Sequence, residues 1–402
     1  MIKNNFISND IEFGGRRIVG QNHAKEQVKR LLQSDRLGHA YLFSGKSGAG
    51  TTAFALAMAE IINGIDHFTD LKGISFSKKS SWFTHPDIHV FLPHPKNIGT
   101  GELRERLKLL AGDPYEIVDF SRRPVLNDPE ASKNKQAFYD IEYFHKEIRS
   151  RAFLKPNEGR RTTIVITGID TMRKESANAF LKILEEPPEN IIFLLTTQNP
   201  DQLLPTIISR CQQIRLSPLS EEEVAEGLVK YDNVDEEDAR YLARISDGDY
   251  SQVRFFDIKT IKENRKELIQ FLRWTYVQDA QPLLKLIQDW QNSLNIEGQI
   301  SLCNNLEILL KDILLFMKTG KREYIMNVDL TDTISRFSGS LPDAKIDSMI
   351  EHLQELKVLL YQNVQFKLVF TTLSFRFFYL MRGNEPVIGQ HDSWKHLPAF
   401  TE

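Results

Sequence analysis

The stretch Gly45-Lys46-Ser47-Gly48-Ala49-Gly50-Thr51-Thr52 decides the fold of this 402-residue chain. It follows an apolar run, Ala40-Tyr41-Leu42-Phe43, and precedes a helical pattern from Ala53 to Ile62. A glycine-rich turn between a buried strand and a helix is the context a phosphate-binding loop requires, because it lets backbone N–H groups close around an anion at the helix N-terminus. The glycines sit at the required spacing, but Thr51 occupies the slot from which a lysine would reach the β- and γ-phosphates. The cradle is kept and its charge is lost.

Working outward, Gln21 to Ser34 predicts an amphipathic helix with Ala24, Val28, Leu31 and Leu32 on one face, and Ser34 to Gly38 a loop into the first strand. Thr162 to Thr167 and Ile191 to Thr196 are nearly continuous runs of β-branched and apolar residues, as expected of strands buried on both faces of a parallel sheet. Between them Lys174 to Glu185 carries Ala177, Phe180, Leu181 and Leu184 on one stripe, and Pro187-Pro188 stops the helix. Alternating strands and helices predict an α/β domain over residues 1–217, ending near Leu216-Ser217-Pro218. A polar insertion at about 93–138, with one helix from Gly101 to Leu110, interrupts it.

Beyond Ser220 the pattern is entirely helical. Ser220 followed by Glu221-Glu222-Glu223 predicts an N-cap with acidic first-turn residues. Val224 to Val229 and Ala239 to Ile245 predict two short helices closed by Asp247-Gly248-Asp249, together a lid at 218–258. Longer helices, including Leu306 to Met317 and Ile350 to Tyr379, predict an all-α domain at 259–402 with an irregular tail from Arg382. Phe366, Phe370, Phe375, Phe377 and Phe378 are expected in its core or at a subunit interface.

Composition narrows the function classes. At 41% hydrophobic and 26% charged the chain is an ordinary globular protein, and its net charge of -3 offers no global field for nucleic acid. Two cysteines, Cys211 and Cys303, support neither a disulfide framework nor a four-cysteine zinc site. Met1 to Asp10 is polar and lacks the apolar core of a signal peptide, and the apolar runs are too short to span a bilayer. A reducing cytoplasm is the expected location.

A working phosphate-loop ATPase also needs carboxylates at the end of a neighbouring strand, one to position Mg²⁺ and one to polarise water. After Ile164-Val165-Ile166 those slots hold Thr167 and Gly168. Asp170 lies beyond them and is expected to cap the following helix rather than to ligate Mg²⁺. Thr51, Thr52 and the loop amides could still receive an anion, or the loop could simply turn the chain into its helix; the missing groups favour the second reading.

Six motifs carry a resemblance: Ile18-Val19-Gly20-Gln21; Leu37-Gly38-His39-Ala40-Tyr41-Leu42-Phe43-Ser44-Gly45; Thr84-His85-Pro86-Asp87; the run from Ser176 through Leu184-Glu185-Glu186-Pro187-Pro188; Thr196-Thr197-Gln198-Asn199-Pro200; and Ser209-Arg210-Cys211. Together they resemble the clamp-loader branch of the AAA+ ATPases, and within it the delta-prime family of bacterial DNA polymerase III. The resemblance implies an AAA+ parallel-sheet sandwich, a helical lid and a helical collar. It implies that Arg210, within the Ser209-Arg210-Cys211 motif, is an arginine finger serving ATP bound by a neighbouring subunit. It also implies gamma/tau ATPase and delta subunits as partners, with the sliding clamp and primer–template DNA reached through the assembly and no membrane involved.

The departures matter as much. The sensor arginine of the ATPase subunits is replaced by Ser251, and residues 63–84 lack the cysteines of the zinc module found in many relatives. The vestigial loop Gly45, Gly50, Thr51 and Thr52, the lost acids at Thr167 and Gly168, and Ser251 together imply a subunit with no autonomous activity and no cofactor of its own. An active gamma/tau-like ATPase with a divergent loop is the alternative, and a stand-alone DNA-binding protein is disfavoured by the charge balance. Arg104, Arg106, Lys108, Arg122 and Arg123 of the insertion could touch DNA, but a solvated face is the favoured reading. His85, His89 and His94 lack the spacing of a zinc set, and Cys211 is expected to be a small buried residue rather than a nucleophile.

Overall fold

β-branched and apolar runs buried on both faces build the core of the first of two compact units. A computed structural model describes residues 17–33, 37–65, 77–96, 98–126, 136–254, 256, 258–294, 296–325, 327, 330–361 and 364–386. The polar start at 1–10 and most of the expected irregular tail lie outside the described residues, as does part of the loop at 34–38. The chain divides into two compact units, Met1–Phe256 and Asp257–Glu402.

In the first unit, strands β1 (Ala40–Ser44), β2 (Ile88–Phe91), β3 (Thr162–Ile166), β4 (Ile191–Thr197) and β5 (Gln212–Arg215) form one sheet in the order β2-β3-β4-β1-β5. Every pairing is parallel, with Leu42 opposite Leu195 and Val165 opposite Leu194. All residues of β1, β3 and β4 are buried, which accounts for their unbroken apolar character. Helix α1 (Asn22–Gln33) precedes β1, and helix α2 (Thr51–Ile62) leaves the glycine-rich loop. α2 is apolar on all sides because nearly all of it is covered; even Glu60 is buried and accepts the Trp82 N–H at 2.7 Å.

The parallel register brings the carboxyl ends of β1, β3 and β4 to one edge, where open α/β sheets form their crevice. The insertion contributes helix α3 (Thr100–Gly112) and a largely irregular segment at 113–126; beyond the insertion, a helical stretch at 141–152 includes a π-helical turn, Phe144–Arg149. After β5, Leu216 N donates to Ser44 O at 2.8 Å, and the chain enters the lid helices Glu221–Asp232, Glu236–Ile245 and Tyr250–Val253. Ser220 and Glu223 form a reciprocal capping box at the first of these. The lid belongs to the same compact unit as the sheet.

The second unit is built of long helices around Phe271, Trp290, Phe366, Phe370 and Phe377. The expected helix from Ile350 to Tyr379 is in fact two, Ile346–Tyr361 and Phe366–Leu380. Of the five phenylalanines, Phe366, Phe370 and Phe377 are core, Phe378 is partly buried, and Phe375 is exposed beside Leu368 and Tyr379 on one helix face. Buried Asp312 accepts from the backbone and side-chain N–H of Asn327, whose Oδ1 accepts from Arg265, so these polar groups are paired within the core.

Candidate functional site

Two left-handed glycines shape the phosphate-type loop: Gly48 at φ 72° and Gly50 at φ 90°, the latter ending the loop at the start of α2. Gln21 steadies the loop from the side, its amide donating to Ala49 O at 3.1 Å and to Ser217 O at 2.7 Å. A cleft of about 740 Å³ runs from this loop along the strand ends. Gly50, Thr51, Thr52, Thr167, Gly168 and Ser251 all line it, so the residues read as vestigial or lost come together at one place. Gly45 lies at the end of β1 outside the lining, with the Leu216 backbone close against it.

The floor of the cleft is hydrogen-bonded within itself. Thr167 Oγ1 donates to Phe91 O at 3.2 Å, and Tyr139 Oη donates to Thr167 O at 2.7 Å. Asp170 does not cap the helix Lys174–Glu185, as its position after the strand led us to expect. Its carboxylate instead accepts from Thr197 Oγ1 at 2.7 Å and Asn199 Nδ2 at 3.0 Å, joining the end of β3 to the end of β4. The cap fails because Asp170 falls in a separate 3-10 turn, Ile169–Thr171, one step before the helix.

The insertion forms the opposite wall, and here the solvated-face expectation fails for Arg106. Arg106 is fully buried: its guanidinium lies 3.7 Å from the Phe120 ring centroid and donates to Val118 O and Arg123 O, each at 2.9 Å, while pairing with Glu102 at 2.8 Å. A planar fork of donors can satisfy several carbonyls at once, which suits arginine to this buried role. Arg123 pairs with Glu116 at 2.8 Å, and Arg122 with Asp119 at 2.7 Å; only Arg104 and Lys108 are exposed, as expected. Burial works against ionisation of Asp119. The Arg122 guanidinium and hydrogen bonds from Arg122 N and Ser121 outweigh it and hold the carboxyl below its ordinary range.

Three residues that sequence reasoning did not place at the site touch the loop directly. Tyr115 Oη accepts from Val19 N at 2.9 Å and lies 2.7 Å from where a Cβ on Gly50 would stand. Asp249 of the lid accepts from Ser47 Oγ at 2.6 Å and lies against Gly48. Arg122 donates to Ser47 Oγ at 3.1 Å and approaches Asp249 at 3.7 Å. Behind them Arg17 and Arg254 both bind Asp232, and Arg254 also binds Asp113, tying the start of the described chain, the insertion and the lid together.

Arg210 lies elsewhere, just past the short helix Pro205–Ile208, with its side chain one-third exposed. It donates to Thr206 O at 3.0 Å and to Glu185 Oε1 at 2.8 Å. Ser209 Oγ donates to Thr206 O, and Cys211 is partly buried against the core under the sheet. Burial raises the Cys211 thiol to about 12, the state of a packing residue and not of a nucleophile. The three histidines are scattered among structural roles. His85 Nδ1 accepts from Asp87 N, and His94 packs on the Tyr143 ring. Burial, reinforced by Arg151, lowers His89 to about 4. Among the described residues no cluster of His, Cys, Asp or Glu could hold a metal ion, and no helix is long and apolar enough to cross a membrane.

The loop after β1, the sheet order with β4 between β1 and β3, and the helical lid define a P-loop α/β domain of the AAA+ type. A family model described as "DNA polymerase III, delta subunit" matches residues 20–220. That is half of the 402 residues, and the chain belongs to this family. The delta' subunit of DNA polymerase III of Bacillus subtilis is 22% identical over 348 residues, spanning 85% of this chain and 93% of its own length. The tau subunit of Escherichia coli is 28% identical over 211 residues, 52% of this chain but only 26% of that longer protein. A gamma-subunit-related protein of Thermotoga maritima aligns with a TM-score of 0.43 at 15% identity, covering 89% of this chain and 99% of its own.

Proposed function

We propose that this chain is a non-hydrolysing clamp-loader subunit of DNA polymerase III that supplies Arg210 in trans to an ATP site on a neighbouring gamma/tau-type subunit. The observation that carries the proposal is the meeting of Thr51, Thr167, Gly168 and Ser251 in one cleft. Phosphoryl transfer needs a lysine, acids and a cation at those positions, and none of the four side chains carries a charge. Arg210, by contrast, stands partly exposed at the sheet's rim, held by Glu185 and Thr206 O, with its planar fork available to a phosphate once that surface pair opens.

In this reading the chain's own residues contribute position and charge. Ser209 and Cys211 hold the short turn that presents Arg210, the first through Thr206 O and the second by packing. ATP is bound by the neighbours, and no cofactor belongs to this chain. Residues 259–402 are the collar that joins it to gamma/tau and delta subunits in the cytoplasm, and the sliding clamp and primer–template DNA are engaged through the assembly. The boundaries 1–217, 218–258 and 259–402 are the functional divisions proposed for α/β domain, lid and collar.

Reconstitution tests it. The purified chain should turn over no ATP alone, and a loader assembled without it should lose clamp-stimulated ATPase. Hydrolysis by the isolated chain would move the assignment to an active gamma/tau-like subunit.

A further inference from the structure

We infer that the insertion segment 113–122 and the lid residue Asp249 act as an internal ligand of the P-loop, keeping nucleotides from it by engaging Ser47 and crowding Gly48 and Gly50 on the wall of the cleft. The inference deepens the non-hydrolysing reading and rests on it only for the absence of turnover; what it adds is the cause of an absence of binding.

Three observations converge on it. Tyr115 Oη takes the Val19 N–H at 2.9 Å and stands 2.7 Å from where a Cβ on Gly50 would be, so a backbone donor beside the loop is used within the chain and the approach to its last glycine is narrowed. Asp249 sets a carboxylate against Gly48 and accepts the Ser47 hydroxyl at 2.6 Å, placing negative charge where an anion-binding loop would meet a phosphate. Arg122 stands near enough to replace the missing lysine, yet it is engaged by Asp119 at 2.7 Å, Ser47 at 3.1 Å and Asp249 at 3.7 Å. One arginine between two aspartates leaves that trio net negative, the wrong sign for a triphosphate.

The segment is held in place rather than merely resting there. Buried Arg106 binds the Val118 and Arg123 carbonyls and stacks on Phe120, on either side of Asp119 and Arg122. Asp249 is fixed as the N-cap of Tyr250–Val253, its Oδ1 accepting Gln252 N at 2.9 Å. A nucleotide in an ordinary site joins core and lid through its phosphates and base; here Ser47–Asp249 and Arg254–Asp113 make that junction from protein groups alone.

The test is calorimetric titration of the full chain with Mg²⁺–ADP. The wild type should give no saturable heat, whereas Tyr115→Ala/Asp249→Asn should give a saturable isotherm with a Kd at least about tenfold below the weakest binding the titration can detect, asparagine keeping the cap while removing the charge. If thermal melting shows that variant unfolded, Tyr115→Phe/Asp249→Asn replaces it, keeping the ring and losing only the hydroxyl, and the same gain is expected. Equal binding by wild type and variant overturns the inference, and so does a folded variant that stays silent. Neither outcome touches Arg210, whose role is read from the assembled loader.

Discussion

The guanidinium of Arg106 lies 3.7 Å from the centroid of the Phe120 ring with no exposed surface, so a base in a polar helix is the anchor of the wall facing the P-loop. Its replacement leaves the carbonyls of Val118 and Arg123 buried without a partner. Arg106→Met should therefore destabilise the first unit by roughly 2–4 kcal/mol, a fall in Tm on the order of 5–12 °C for a unit of this size. Arg106→Lys should recover little, since an ammonium cannot serve the carbonyls and the ring in one plane. Melting curves with unchanged midpoints would show that the segment needs no anchor.

Asp87 accepts three consecutive backbone N–H groups, Asn157 at 2.7 Å, Glu158 at 2.7 Å and Gly159 at 2.6 Å. Burial opposes its ionisation, but these bonds outweigh it and hold the carboxyl below its ordinary value. A depressed folded pKa means stability that is fully present above the unfolded value near 3.9 and is lost as pH falls through the folded value. Asp87→Ala should cost about 2–3 kcal/mol at pH 7, and the gap from wild type should narrow only below about pH 4. Urea titrations across pH 3–7 check it; a gap that does not change over that range would contradict the charge-assisted turn.

Burial raises both thiols to about 12. At pH 7.5 the native chain should therefore react with a thiol reagent far more slowly than a free cysteine of pKa about 8.5, and Cys303, fully covered, should be the slower. Both should react at once in denaturant. A native thiol that titrates within seconds would identify Cys211 as something other than a packing residue.

Much of the first unit was legible because burial on two faces leaves a compositional mark. Thr162 to Thr167 and Ile191 to Thr196 read as central strands for that reason, within one residue of the observed Thr162–Ile166 and Ile191–Thr197, and Pro187-Pro188 marked the helix end. β5 left no such mark: of Gln212–Arg215 only Ile214 is buried, and the strand exists through its backbone pairing with β1 at the sheet edge. The break between Tyr361 and Phe366 was invisible because no proline or glycine stands there. At the site, the missing lysine, acids and sensor arginine could be read from their slots. What fills the loop could not, since Tyr115, Arg122 and Asp249 reach Gly50, Ser47 and Gly48 only through tertiary folding. Arg106 misled for the same reason: in Arg104-Glu105-Arg106-Leu107-Lys108 it reads as a surface charge until Phe120 and two carbonyls close over it.

The pair Arg210–Glu185, at 2.8 Å with the arginine side chain one-third and the glutamate side chain one-half exposed, is a weak surface contact that an incoming phosphate can displace. The most direct measurement is therefore the clamp-stimulated ATPase of a loader reconstituted with Arg210→Ala, set beside wild type and Glu185→Ala at saturating ATP. With assembly verified by size-exclusion chromatography, turnover at the site facing this subunit should fall by about 10³-fold, the lower end of what an arginine finger contributes, while Glu185→Ala stays within about twofold of wild type. Undiminished turnover at that site in the assembled Arg210→Ala loader would contradict the claim that this chain completes its neighbour's active site.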